Sequence, residues 1–264
     1  MAIIQIPRLR SQINAVAAHY GDSGTFISAL KSLLINYSRN KHFPLLIEDS
    51  EQELNHYDLA EVVMVELESA FIRLAKNHPQ EAIEIADRLW REPVFEQKKL
   101  AIILVSHLGN EYGETFVQHV DKWIDEDLDD KLLNEILDAS EQIPFIVTSK
   151  KWLDLIYHWL NSSSRKLIRN GLKALGQLIS RKDFQDMPYV FGLLFPVFSQ
   201  PDLAIQKNLL NFTSLMAEKT PSETASFLIS VGEIYPQKQV RAFIRKCLPF
   251  FDEYFQKEIK QSIR

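Results

Sequence analysis

Apolar residues recur at spacings of three and four along nearly the whole chain, and this feature constrains the fold more than any other. The run that contains Ile83, Ala86, Leu89 and Trp90 is typical. Such spacing puts apolar side chains on one face of an α-helix, and the period-two alternation of a half-buried strand is not sustained anywhere. Prolines stand near the expected helix starts or between helices, where a missing N–H matters least. The sequence therefore predicts an all-α protein.

The predicted helices form pairs of similar length from about residue 81 onward. The pairs are 81–91 with 95–108, 113–124 with 129–140, 149–160 with 163–180, 186–199 with 202–218, and 221–234 with 236–250. Equivalent aromatic residues of the first helices are separated by 33, 36 and 39 residues, and they are Trp90, Trp123, Trp159 and Phe198. A two-helix unit of this period is typical of an α-solenoid, a superhelix of HEAT-like helix pairs.

The part of the chain before residue 80 follows the same helical pattern. Helices are predicted near residues 8–19, 24–38 and 56–77. The string GDSG at residues 21–24 is interpreted as a turn and a helix N-cap. No segment of biased composition divides the chain, so we predict a single domain over residues 1–264.

The formal charge of −5 conceals an asymmetry between the two parts of the chain. Residues 1–150 contain 14 Lys and Arg against 25 Asp and Glu, a balance of −11. Residues 151–264 contain 16 against 10, a balance of +6. A basic section attracts polyanions through its long-range field.

Much of this positive charge falls on the second helices of the predicted pairs. In a solenoid the second helices usually line one wall, so their cations are expected to form a basic trough. The cations are Lys98, Lys99, Arg165, Lys166, Arg169, Lys173, Lys207, Lys238, Arg241, Arg245 and Lys246. Lys and Arg bind nucleic acid by neutralising backbone phosphates. We predict contacts to the backbone of double-stranded DNA from Arg165, Lys166, Arg169, Lys173 and Lys207.

Several other classes of function find no support in the sequence. The single cysteine, Cys247, fits a reducing compartment and leaves a zinc site without thiolate partners. The histidines show no HxxxH pair, and no phosphate-binding glycine loop occurs. The apolar runs are shorter than the ~20 residues that a membrane helix needs. We predict a cytoplasmic protein with no metal, no small-molecule cofactor and no membrane contact.

Two segments carry a resemblance to a known family. One is LWREPVFEQKKLAIILVSHLG at residues 89–109, and the other is AIQKNLLNFTSLMAEKTPSETASFL, which begins at Ala204. Both resemble repeat units of the bacterial DNA alkylation repair family, whose HEAT-like solenoids include alkylpurine DNA glycosylases. The matching positions are Leu89, Trp90, Glu96, Lys99, Ala101 and Leu104, and then Ile205, Lys207, Leu209, Pro221 and Phe227. The resemblance covers roughly residues 75–264.

The resemblance implies a set of site residues. The family's tryptophan, followed four residues later by an aspartate, matches Trp123 and Asp127, and its arginine on a later repeat matches Arg169. In such a site the carboxylate stabilises the cationic sugar left by a departing alkylated purine, and the arginine holds phosphate. The family's late tryptophan is replaced by Asn211, which lacks an aromatic face. We therefore predict a DNA-binding member with weak or no glycosylase activity.

Each of these residues can also be interpreted as having a purely structural role. Trp123 is equivalent to Trp90 and is expected to pack in the core. Asp127 lies in the acidic turn DEDLDD, where a carboxylate caps or complements a helix N-terminus. Glu96 and Lys99 have the spacing of a helical ion pair. The alternative function is a protein–protein interaction scaffold without DNA binding, because a solenoid offers a long adaptable surface.

Overall fold

A computed structural model describes residues 4–39, 54–125 and 127–263. These residues form fifteen α-helices and no strand, so the predicted all-α class is confirmed. Extended pairing within the described ranges amounts to one isolated parallel bridge between Asn55 and Val94. No helix of the described chain combines the length and the apolar character that crossing a membrane requires.

The described residues group into two compact units, one within residues 1–145 and one within residues 146–264. The prediction of a single domain stays a prediction. The helices of the first unit are α1 (Ile6–Ala17), α2 (Ser23–Tyr37), α3 (Glu61–Asn77), α4 (Pro79–Trp90), α5 (Phe95–Ser106), α6 (Gly113–Trp123) and α7 (Asp130–Glu141). In this unit α3 packs on α1 and α5, and α5 packs on α7, so that these four helices form one layer. Helices α2 and α4 pack against each other in a second layer.

The second unit repeats this two-layer packing. A single-turn helix, α8 (Phe145–Thr148), stands at the boundary and is followed by α9 (Lys150–Leu160), α10 (Arg165–Ser180), α11 (Met187–Ser199), α12 (Leu203–Lys219), α13 (Pro221–Ile234), α14 (Lys238–Cys247) and α15 (Glu253–Ser262). Helices α9, α11, α13 and α15 pack in sequence as one layer, and α10, α12 and α14 form the other. The helices α10, α12 and α14 are the predicted second helices, and we call their layer the second-helix layer.

The observed helices begin and end within a few residues of the predicted pairs. Helix α15 was not among the predicted pairs, and the last predicted helix is shorter than expected because residues Leu248–Phe250 turn into a 3-10 helix. Helix α15 buries Ile259 in the second unit.

Side-chain caps explain where many helices begin. Asp22 accepts from the backbone N–H groups of Gly24 and Thr25, which confirms the turn and N-cap interpretation of GDSG. Asp186, Asp202 and Asp252 cap α11, α12 and α15 in the same way. Each satisfies a backbone donor that the first turn of a helix leaves free. The chain therefore specifies its helix boundaries locally.

A close approach between α9 and α10 depends on a glycine. A Cβ atom at Gly171 would lie 3.0 Å from the Leu160 side chain, which is closer than an ordinary carbon contact. Further along the unit, Phe227 of α13 contacts the rings of Phe191, Phe195 and Phe198 on α11 at centroid distances of 5.1–5.2 Å. Offset and edge contacts of this kind add to the burial of the rings. Helices α11 and α13, neighbours in one layer of the second unit, thus share an aromatic cluster.

The structure corrects the predicted pairing of Glu96 with Lys99. Glu96 is 5% exposed, and its two carboxylate oxygens accept from the backbone N–H groups of Tyr57 and Asp58 at 3.1 and 3.0 Å. Lys99 instead pairs with Glu68 at 3.2 Å and Glu135 at 3.0 Å. Spacing along one helix suggested the first pair, but neighbouring helices supply better partners for both side chains.

Candidate nucleic-acid interface

Positive charge in the second unit is concentrated on the second-helix layer. Helices α10, α12 and α14 contain ten Lys and Arg and a single acid, Glu218. The other layer, made by α9, α11, α13 and α15, contains four Lys against five Asp and Glu. The +6 balance of this part of the sequence therefore has a definite location in the fold. A face with one sign of charge attracts a polyanion.

Four of the five predicted phosphate contacts are free to bind a ligand. Arg169 and Lys207 are exposed, and Lys166 and Lys173 are partly exposed. Within the described chain no ion pair joins any of these four side chains to an acid. Arg169 and Lys173 are four residues apart on α10, so their side chains lie on the same face of the helix. An unpaired surface cation loses no protein partner when it neutralises a phosphate.

Arg165 differs from the other four because an acid already faces it. Its Nε atom lies 2.7 Å from an oxygen of Asp202, the residue that caps α12. A backbone hydrogen bond from Ala204, together with the Arg165 guanidinium, lowers the pKa of Asp202. Arg165 remains a predicted contact, but its charge is shared with this carboxylate.

Lys219 also belongs to the second-helix layer, but its ammonium group is engaged in contacts within the protein. Its ammonium group donates hydrogen bonds to the carbonyl oxygens of Ile179, Arg181 and Phe184. These carbonyls lie at the end of α10 and in the turn that follows, where helix geometry leaves acceptors free. Lys219 therefore holds that turn against α12 and contributes little free charge.

The position of the family's late tryptophan lies on the exposed side of α12. Asn211 is exposed and is four residues after Lys207, so the two side chains share one face of the helix. The exposed amide offers hydrogen bonds but no stacking surface. The structure thus puts the replaced residue beside a predicted phosphate contact.

Trp123 packs inside the first unit. It is 4% exposed, its ring stacks on that of Trp90 at a centroid distance of 4.2 Å, and His119 meets it edge-on at 5.3 Å. The other partner of Trp90 is Lys98, whose Nζ atom lies 4.5 Å from the centroid of the Trp90 ring. These contacts favour the packing interpretation of Trp123, because a ring enclosed by neighbours has little surface for a nucleotide.

Asp127 is exposed in the turn between α6 and α7. Its backbone N–H donates to the side chain of Asp125 at 3.0 Å. The cap of α7 is Asp129, which accepts from the N–H groups of Lys131 and Leu132, so the capping role expected for Asp127 belongs to its neighbour. The Asp127 side chain is accessible, and the sequence did not single out Asp129 because the DEDLDD turn offers four aspartates for one cap.

Lys98 and Lys99 do not provide the free charge that the predicted basic trough requires. Burial lowers the pKa of Lys98, whose ammonium donates to the backbone oxygen of Trp90. Burial also acts against the charge of Lys99, but hydrogen bonding and attraction from Glu135 and Glu68 outweigh it and raise its pKa. Both amines are engaged within the first unit.

Comparison with known proteins gives one match. A protein-family model described as DNA alkylation repair enzyme matches residues 58–246, which is more than half of the chain. No curated protein and no solved structure matches this sequence significantly.

Proposed function

The chain belongs to the DNA alkylation repair enzyme family, and we propose that it binds double-stranded DNA through backbone phosphates, with weak or no glycosylase activity. Family membership connects the chain with DNA repair. The observation that carries the binding proposal is the set of four unpaired cations on α10 and α12, namely Lys166, Arg169, Lys173 and Lys207. Each phosphate that such a cation neutralises releases counterions, which gives affinity without reading sequence.

Two observations support weak or absent base excision. The exposed residue where the family has its late tryptophan is Asn211, which cannot stack on a base. The tryptophan of the other matching motif, Trp123, is enclosed by Trp90 and His119. Neither of these two positions offers an exposed aromatic ring to a damaged nucleotide, whereas the cations of α10 and α12 remain available to the DNA backbone.

A charge-reversal experiment tests the binding proposal. The variant Arg169→Glu/Lys173→Glu/Lys207→Glu is compared with Lys150→Glu/Lys182→Glu/Lys257→Glu, which has the same change of charge outside the second-helix layer. Fluorescence anisotropy of a labelled duplex is recorded at several salt concentrations. We expect the first variant to bind more weakly, with the slope of log affinity against log salt smaller by about 3, and the control to stay near the wild type.

Two results would overturn the binding proposal. One is equal weakening in both triple variants, because the effect would then follow net charge alone. The other is no binding of the wild-type protein to the duplex at low salt. That second result would favour the alternative function, a protein–protein interaction scaffold.

Base release is measured separately on a duplex that contains an N-methylated purine. We expect the wild-type protein to release the purine at the rate of spontaneous loss. Release well above that rate, abolished by Asp127→Asn, would contradict weak catalysis and would assign Asp127 the electrostatic role that the family resemblance implies. The exposed Asp121→Asn is the matched control.

A further inference from the structure

The second-helix layer carries cations on its last helix that the function proposed above does not use. On α14, Lys238 and Arg245 are exposed and separated by seven residues, two helical turns, so they lie along one face. The buried residues Val240, Phe243, Ile244 and Cys247 occupy the opposite face. No acid occurs in α14, and no ion pair among the described residues involves either cation.

Helix α12 lies between the cations of α10 and those of α14. It packs on both helices, through Phe212 and Leu215 beside Gly176 of α10, and through the hydrogen bond of Lys246 on α14 to Gln206. The exposed charged residues of α12 are Lys207 near its start and Glu218 and Lys219 at its end, and Lys219 is already engaged with three carbonyl oxygens. The layer therefore has a cationic row on each outer helix, and the helix between them adds Lys207 as its one exposed cation without a partner among the described residues.

The distance between these rows suits the two strands of one duplex. Packed helices typically lie about 8–10 Å apart, so two helices that flank a third, as α10 and α14 flank α12, have axes up to about 20 Å apart. The major groove between the two phosphate backbones of B-DNA is about 12 Å wide. Lys and Arg side chains are long enough to bridge the difference by leaning toward the groove. One row then reaches each strand, and the part of α12 beyond Lys207 faces the groove between them.

We propose that Lys238 and Arg245 contact phosphates of the strand opposite to the one that α10 contacts. This inference rests on the proposed function, since it assumes that Arg169 and Lys173 bind the first strand. It assigns the α14 row a role in specificity: a duplex engages both rows at once, whereas a single strand engages one. The surface therefore selects double-stranded over single-stranded DNA.

The test compares duplex and single-stranded probes of the same length and sequence. For Lys238→Glu/Arg245→Glu we expect the duplex salt slope to fall by about 2 and the preference for duplex over single strand to shrink, while single-strand affinity changes little. The control Lys150→Glu/Lys257→Glu makes the same charge change on the opposite layer and is expected to keep the preference. The neutral variant Lys238→Gln/Arg245→Gln repeats the measurement without added repulsion, and circular dichroism checks that each variant is folded.

The outcomes separate this inference from the proposed function. Equal losses on both probes in the α14 variants would overturn the two-strand arrangement, and so would no loss on the duplex. In either case the proposed function stands if Arg169→Glu/Lys173→Glu still weakens duplex binding more than the control. If that α10 variant also has no effect, the proposed function fails along with the inference.

Discussion

Glu96 illustrates how one residue of the family resemblance acts in the fold. Its carboxylate accepts two backbone N–H groups from residues 57 and 58, of which Asp58 has a positive φ of 52°. The same segment is held by the exchange of backbone hydrogen bonds between Asn55 and the residues that flank Val94. Glu96 thus ties the chain before α3 to the start of α5. The glutamate of the segment at residues 89–109 therefore has a structural role.

Replacement of Glu96 is predicted to destabilise the first unit. Glu96→Ala leaves the N–H group of the buried Tyr57 and that of Asp58 without an acceptor, which costs about 2–4 kcal/mol of unfolding free energy. Glu96→Gln keeps an oxygen acceptor and is expected to lose about half as much. Urea denaturation followed by circular dichroism measures both, with Asp121→Ala as an exposed control. A loss for Glu96→Ala no larger than for the control would contradict the structural role.

At the scale of the helix, the cations of one layer fall into two groups with different tasks. Lys219 gives its donors to three carbonyl oxygens around the end of α10, and Arg165 faces the cap of α12. Lys207, twelve residues before Lys219 on the same helix, is exposed and has no ion pair among the described residues. Helix α12 therefore offers a direct comparison between a structural lysine and a binding one.

The variants Lys219→Met and Lys207→Met are predicted to have opposite effects. Lys219→Met removes the donors of three carbonyl oxygens, so we expect the unfolding free energy to fall by about 1–2 kcal/mol with duplex affinity nearly unchanged. Lys207→Met removes an exposed charge, so we expect unchanged stability and weaker duplex binding with a salt slope smaller by about 1. Urea denaturation and anisotropy titration of both variants provide the comparison. Similar behaviour of the two variants in both assays would refute this division of tasks.

At the scale of the whole chain, the two compact units differ in the charge of equivalent layers. Helices α3, α5 and α7 of the first unit contain five Lys and Arg against eight Asp and Glu, whereas α10, α12 and α14 contain ten against one. The lysine at the centre of the first set, Lys99, is shared between two glutamates. We therefore expect the salt dependence of DNA binding to arise almost entirely from the second unit.

Much of the helical architecture was predictable because helix formation follows local rules. The spacing of apolar residues gave the helix pairs, the prolines marked several of their starts, and the charge count put the positive balance in residues 151–264. Trp123 was expected to pack in the core as the equivalent of Trp90, and it is buried; its stacking on the Trp90 ring is visible only in the structure. Such predictions depend only on residues within a few helical turns of each other, or on equivalent positions one repeat apart.

The sequence by itself determined the fold class, the order of the helices and the helices on which positive charge lies. Only the tertiary structure decided which of those charges are free: Lys99, Arg165 and Lys219 meet partners 31 to 40 residues away, whereas Arg169, Lys173 and Lys207 form no ion pair with any acid in the described part of the chain. The spacing of residues along one helix cannot reveal such partners. The physical reason is that packing brings together groups from different helices, and each polar group then pairs with the nearest complementary one instead of the nearest in sequence.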